Sequence, residues 1–81
     1  MTSLNSSAIL LNLAHNLKSK RKSLQLTQEE FADLCGLHRT YIGAIERAER
    51  NITLSTLESI ASAIRIQPHA LIRPKKGKIE P

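Results

Sequence analysis

The residues best suited to chemistry in this 81-residue chain are hydrogen-bond donors gathered between Gln28 and Thr53. His38, Arg39, Thr40 and Tyr41 are consecutive, and Gly43, Ala44, Arg47, Arg50, Asn51 and Thr53 follow within a short span. The forked guanidinium of Arg39 matches O6 and N7 of guanine. Thr40 suits a base edge or a thymine methyl, and Tyr41 can donate to a phosphate or fill the edge of a core. Gln28 opens a helix, where amide donors and the helix dipole face an anion. Arg47, Arg50, Asn51 and Thr53 suit the nucleic-acid backbone, with Arg50 long enough for a base or a narrow minor groove. Lys18, Lys20 and Lys22 serve equally well as a solvated face or as further contacts.

Other chemistries lack their residues. His15, His38 and His69 are far apart in sequence and do not have metal-ligand spacing. There is no Ser-His-Asp order, no paired-carboxylate pocket and no Gly-rich phosphate loop, and so short a chain does not enclose a substrate. Neither catalysis nor a cofactor, metal or small-molecule ligand is expected. Twelve Lys and Arg against seven Asp and Glu give a formal charge of +5. That excess fits nucleic acid, an acidic membrane surface, or solubility alone. Cys35 is the single cysteine, which excludes an internal disulfide and points to a reducing compartment. Its expected role is that of a small hydrophobe rather than a redox sensor. No apolar run reaches the roughly 20 residues of a membrane span, and Ala8 to Leu11 lacks the flanks of a signal peptide. A cytoplasmic protein is expected.

These side chains need helices to position them. Residues 1–7 read as a flexible segment, with Ser6 or Ser7 capping a first helix that runs to about Lys22. Ile9, Leu13 and Leu17 form its apolar stripe. Thr27-Gln28-Glu29-Glu30 is a capping box that opens a second helix, with Phe31, Leu34 and Cys35 inward and Gly36 as its stop. A third helix begins at His38 or Arg39, buries Ile42 and Ile45, and ends near Arg47. It leaves Arg39, Thr40, Gly43, Ala44 and Arg47 outside. Thr53 caps a fourth helix carrying Leu54, Leu57, Ile60, Ala61 and Ile64 at helical spacing. Pro68 starts a short fifth helix through Ile72. Residues 8–73 thus form one all-α domain, and residues 74–81 a disordered basic tail with Lys75, Lys76 and Lys78.

The second and third helices, separated by a Gly-containing turn, make a helix-turn-helix that presents its second helix to the major groove. The segment Gln28 to Arg47 resembles the lambdoid-phage-repressor-like, or Xre, family. Lys18-Ser19-Lys20-Arg21, Leu26-Thr27-Gln28 and Leu57-Glu58-Ser59-Ile60-Ala61 extend the resemblance to about residues 9–72. His38 to Ile42, Ile45-Glu46-Arg47 and Arg50-Asn51 are most similar to restriction-modification controller proteins. The resemblance implies a compact five-helix lambda-repressor-like fold and a dimeric regulator on a symmetric double-stranded DNA operator. It implies activation through RNA polymerase at low occupancy and repression at higher occupancy. It also implies a salt bridge between Arg21 and Glu46. One departure is Gln25, which stands where many relatives have the Gly that ends helix 1.

A dimer needs a surface. Ile64, Ile66, Ala70, Leu71 and Ile72 exceed what a short terminal helix needs for packing and are the candidates. The rival reading is a protein-interaction module, such as an antitoxin that masks a toxin. It calls for a long C-terminal partner segment, and only nine residues follow Ile72.

Overall fold

The computed structural model describes the backbone from Ser3 to Pro74 and the side chains from Ala8 to Pro74. Its elements are α1 (Ser3–Ser23), α2 (Gln28–Cys35), α3 (Arg39–Glu46), α4 (Leu54–Ala63) and a 3-10 turn (Pro68–Leu71). No strand occurs among the described residues. The expected fifth helix is therefore a single 3-10 turn, with Pro68 at its start. A 3-10 ladder uses poorer hydrogen-bond geometry and stays short.

α1 begins earlier than expected. Residues from Ser3 onward are helical, so neither Ser6 nor Ser7 caps it. No Gly or Pro precedes Ala8 to interrupt the ladder. Residues 75–81, most of the expected tail, lie outside the described residues, as do Met1 and Thr2.

α2 opens on the capping box. The Glu30 amide donates to Thr27 Oγ1 at 3.0 Å, and the Thr27 amide donates to Glu30 Oε1 at 2.8 Å. α3 is capped by His38, whose Nδ1 accepts from the Thr40 amide at 3.1 Å. Thr53 caps α4, accepting from the Thr56 amide at 3.0 Å.

The four helices end alike. Each closes on a left-handed residue: Gln25 (φ 61°), Gly36 (φ 72°), Ala48 (φ 60°) and Arg65 (φ 60°). The next amide donates five residues back, Leu26 to Arg21, Leu37 to Ala32, Glu49 to Ala44 and Ile66 to Ala61. This is the Schellman arrangement, which satisfies carbonyls the helix leaves open. Leu26, Leu37 and Ile66 then turn inward against the core, which gives the motif its apolar contact. Only Gly36 adopts this conformation without a Cβ penalty.

The core is aliphatic around one aromatic ring. Phe31, Leu17, Ile42, Ile45, Ile60 and Leu71 are almost wholly buried. Three expected inward residues are not. Leu34 is 51% exposed, Ile9 46% and Leu54 82%, because each lies beyond the strip of its helix that a neighbour covers. The expected dimer surface also needs correction. Leu71 and Ile64 belong to the chain's own core, and Ile66 and Ile72 are partly buried against it. The 3-10 turn brings Leu71 and Ile72 there because α1 holds it by side-chain amides. Asn16 Nδ2 donates to the carbonyls of Leu71 at 3.1 Å and Arg73 at 2.8 Å, and Asn12 Nδ2 donates to that of Ile72 at 3.2 Å.

Candidate nucleic-acid interface

The sharp turn at Gly36 and the inward Leu37 set α3 across α2, with Ile42 and Ile45 facing the core. Helical periodicity then points Arg39 and Thr40 to solvent, and both are exposed. His38, Thr40, Tyr41, Ala44 and Arg50 line one shallow depression of about 520 Å³. Within it the Arg50 guanidinium lies over the Tyr41 ring, 5.1 Å from its centre. Such a pair holds both side chains in one orientation for about 0.5–1 kcal/mol at an exposed site. Tyr41 is half-buried and packs against the edge of the core.

Arg39 faces a separate groove of about 180 Å³ beside Glu29, Asp33, Leu37 and His38. His38 spends Nδ1 on capping. Asn51 and Thr53 lie apart from the depression, in an apolar groove with Ile9, Leu13 and Ile72. Gly43 is not on the outer face. It is buried under the side chains of Gln28 and Arg47. Arg47 itself is exposed and bonds through Nε to Glu49 Oε1 at 3.0 Å.

Behind this face sits an ion pair. Arg21 Nε donates to Glu46 Oε2 at 2.7 Å, and Arg21 Nη2 to Glu46 Oε1 at 3.0 Å. The side chains are 11% and 3% exposed. Arg21 Nη1 also donates to the Leu26 carbonyl at 2.8 Å. The hydrogen bond from Glu46 raises the Arg21 pKa against the opposing effect of burial, so the guanidinium stays charged. Gln28 Nε2 adds a third donor to the carboxylate, at 3.0 Å from Oε1. The sequence reading missed this contact. Gln28 and Glu46 are 18 residues apart and meet only because α2 and α3 cross.

Cys35 is half-buried, and burial pushes its thiol pKa up. Among the described residues no three His, Cys, Asp or Glu side chains are grouped to hold a metal. None of the described helices is long and apolar enough to cross a membrane.

Comparison with known proteins agrees with this architecture. The HTH_3 helix-turn-helix family matches residues 17–71. The control protein C.SmaI of Serratia marcescens is 56% identical over 52 residues, which is 64% of this chain and 62% of that protein. The match thus spans less than two thirds of that relative's length. The crystal structure of the hypothetical transcription factor NHTF from Neisseria superposes with a TM-score of 0.78 at 39% identity, covering 82% of this chain and 76% of that one. The restriction-modification controller protein C.AhdI from Aeromonas hydrophila superposes with a TM-score of 0.72 at 37% identity, covering 76% and 94%. From its capped helix pair to these matches, the chain belongs to the HTH_3 helix-turn-helix family of transcription regulators and lies close to restriction-modification controller proteins.

Proposed function

We propose that this protein is a sequence-specific DNA-binding transcription regulator of the restriction-modification controller kind, acting as a homodimer on a symmetric operator. The observation that carries the reading is the outer face of α3. Arg39 and Thr40 are exposed at its N-terminal end, and the Tyr41–Arg50 pair stands beside them. The core uses none of the Arg39, Thr40 and Arg50 side chains. Arg39 and Thr40 read bases, while Gln28, Arg47, Arg50 and Asn51 follow the backbone. In this reading RNA polymerase is a partner at low occupancy, and the regulated genes are its own and that of an endonuclease. A cytoplasmic location goes with a DNA target.

One recognition helix covers only a few base pairs, so a unique site needs two half-sites about 34 Å apart. The dimer surface is revised to the apolar groove of about 220 Å³ between the first half of α1 and the loop before α4. Ile9, Leu10, Ile52, Leu54 and Ile72 line it, and Leu54 is 82% exposed. An exposed Leu flanking an apolar groove is the kind of surface that association covers.

Enrichment of duplexes from a randomised pool, followed by titration, tests the reading. Arg39→Ala should flatten discrimination between an enriched and an unrelated duplex, while Lys22→Ala weakens both alike. Equal losses on both duplexes for Arg39→Ala would remove it as a reader. Sedimentation should show a dimer that Leu54→Lys splits. A monomer at high micromolar concentration, with and without DNA, overturns the dimer.

A further inference from the structure

α3 has eight residues and no acidic side chain in its first turn. A helix of two turns is marginal in water and depends on how its ends are satisfied. α2 and α4 are capped by the hydroxyls of Thr27 and Thr53, which accept a hydrogen bond at any ordinary pH. α3 is capped by His38 instead, a residue outside the usual set of Ser, Thr, Asp and Asn. Its acceptor is Nδ1, 3.1 Å from the Thr40 nitrogen.

An imidazole nitrogen accepts only while it is unprotonated. Once the ring takes up a proton, both nitrogens are donors. Two effects then act in one direction. The Thr40 amide loses its acceptor, and a positive charge arises at the positive end of the helix dipole. No acid in the first turn offsets that charge, and His38 takes part in none of the ion pairs among the described residues. The charged and titratable groups around the ring are Glu29 and Asp33 from α2, Arg39 and Tyr41 from α3, and Arg50 from the loop before α4. The two carboxylates favour the proton and the two guanidinium groups oppose it. The turn that the cap closes begins with Arg39 and Thr40, both exposed, the two side chains proposed above to read bases.

We propose that His38 is a positioning residue whose protonation uncaps the reading helix and lowers sequence discrimination on DNA. This inference rests on the DNA-binding reading above. A charged ring attracts any duplex through its phosphates, so that attraction adds to specific and unrelated DNA alike and cancels in their ratio. What the ratio retains is the order of Arg39 and Thr40.

The test uses the full chain at about pH 7.5 and about pH 5.5, within the range where histidine changes charge. His38→Asn keeps a cap and removes the proton-binding ring. His15 and His69 lie against other parts of the fold and are present in both proteins, so their effects cancel in the comparison. Protection of the Thr40 amide against hydrogen exchange, corrected for the intrinsic rate, should fall about fivefold on acidification in the wild type and less than about twofold in His38→Asn. The melting temperature of the wild type should drop by about 4–8 °C more than that of the variant. Discrimination between a duplex enriched by the wild type from a randomised pool and an unrelated duplex should fall about threefold in the wild type and hold in the variant.

An acid-stable Thr40 amide in the wild type, or equal acid losses in the wild type and His38→Asn, overturns the inference, because the ring is then not the group that titrates. Discrimination that holds while Thr40 protection falls overturns it too, since the cap would not reach the reading side chains. His38→Ser supplies a second capped variant. Collapse of both variants at neutral pH would mark a packing need for the ring and equally overturn the inference. A wild type that enriches no duplex overturns the DNA-binding reading and the discrimination with it. The Thr40 and melting comparisons, made without DNA, show separately whether the ring switches the cap.

Discussion

Replacing Arg21 with Met tests how the reading helix is held. The Glu46 carboxylate is 3% exposed and takes donors from Arg21 Nε, Arg21 Nη2 and Gln28 Nε2. Arg21→Met removes two of these three donors and the countercharge. A buried charge that loses its partner costs about 3–5 kcal/mol. A chain of 81 residues has a total stability of about 4–12 kcal/mol at ~0.05–0.15 kcal/mol per residue. The single substitution therefore removes at least a quarter of the margin. At 4–8 °C per kcal/mol, the melting temperature should fall by roughly 12 °C or more.

Glu46→Gln should cost less, about 1.5–3 kcal/mol. Arg21 then keeps its bond to the Leu26 carbonyl and its 11% exposure to water. The double substitution leaves no charge unpaired, so its loss should fall short of the sum by about 1–3 kcal/mol. Urea denaturation of the four proteins, followed by circular dichroism, completes the cycle. The sign of the pH effect follows from the raised Arg21 pKa. The pair contributes fully below the unfolded value of the guanidinium and is lost only as pH rises through the still higher folded value. Its contribution should thus be flat across the neutral and mildly alkaline range. Additive losses within about 0.5 kcal/mol, or a cost below about 1 kcal/mol for Arg21→Met, would refute the reasoning.

Gln25→Gly and Ala48→Gly should each raise stability by about 0.5–1 kcal/mol, since glycine relieves a left-handed Cβ clash partly offset by unfolded-state entropy. Thermal denaturation measures it, and a loss at either site would mean the side chain matters more than the backbone. Asn16→Ala should cost about 1–3 kcal/mol by orphaning the Leu71 and Arg73 carbonyls, and amide exchange after Pro68 should quicken. Unchanged exchange there would show that core packing alone holds the turn. Cys35 should alkylate more slowly at mildly alkaline pH than in the unfolded chain, because burial keeps the thiol protonated. Stability should drop as pH rises through the unfolded thiol's range, and equal alkylation rates would contradict the burial.

Features that depend on a few adjacent residues were legible before the fold was known. Thr27 and Glu30 cap each other across one turn, Thr53 caps α4, and Gly36 stops α2. Each is complete within a handful of residues, so tertiary context has little to add. Features that depend on where helices cross were not legible. Gly43 looked exposed by helical period, yet Gln28 reaches it from α2. Leu34 looked inward by the same period, yet about half of it stays open to solvent at the edge of α4. Leu71 and Ile72 looked surplus because the bonds that draw them in come from Asn12 and Asn16, with separations of 55 to 60 residues. The left-handed turns at Ala48 and Arg65 carried no glycine to announce them. At the site, the Arg39 to Arg50 donors follow from residue type, while the arrangement of Tyr41 under Arg50 and of Glu49 behind Arg47 comes from packing.

Asn12 and Asn16 turn an open string of helices into a closed loop. They tie the first helix to carbonyls at Leu71, Ile72 and Arg73, so the segment between them becomes an arc whose two ends are joined. An arc of that kind has no free end from which to peel. Loosening α4 or the 3-10 turn also loosens α1, and α1 carries the Arg21 that anchors Glu46. α3 is therefore steadied from the far side of the molecule. Cutting the motif out at its own boundaries would leave Phe31, Ile42 and Ile45 without Leu17 and Ile60 to close over them. The reading head is not a detachable part; it is the section of the ring that faces outward.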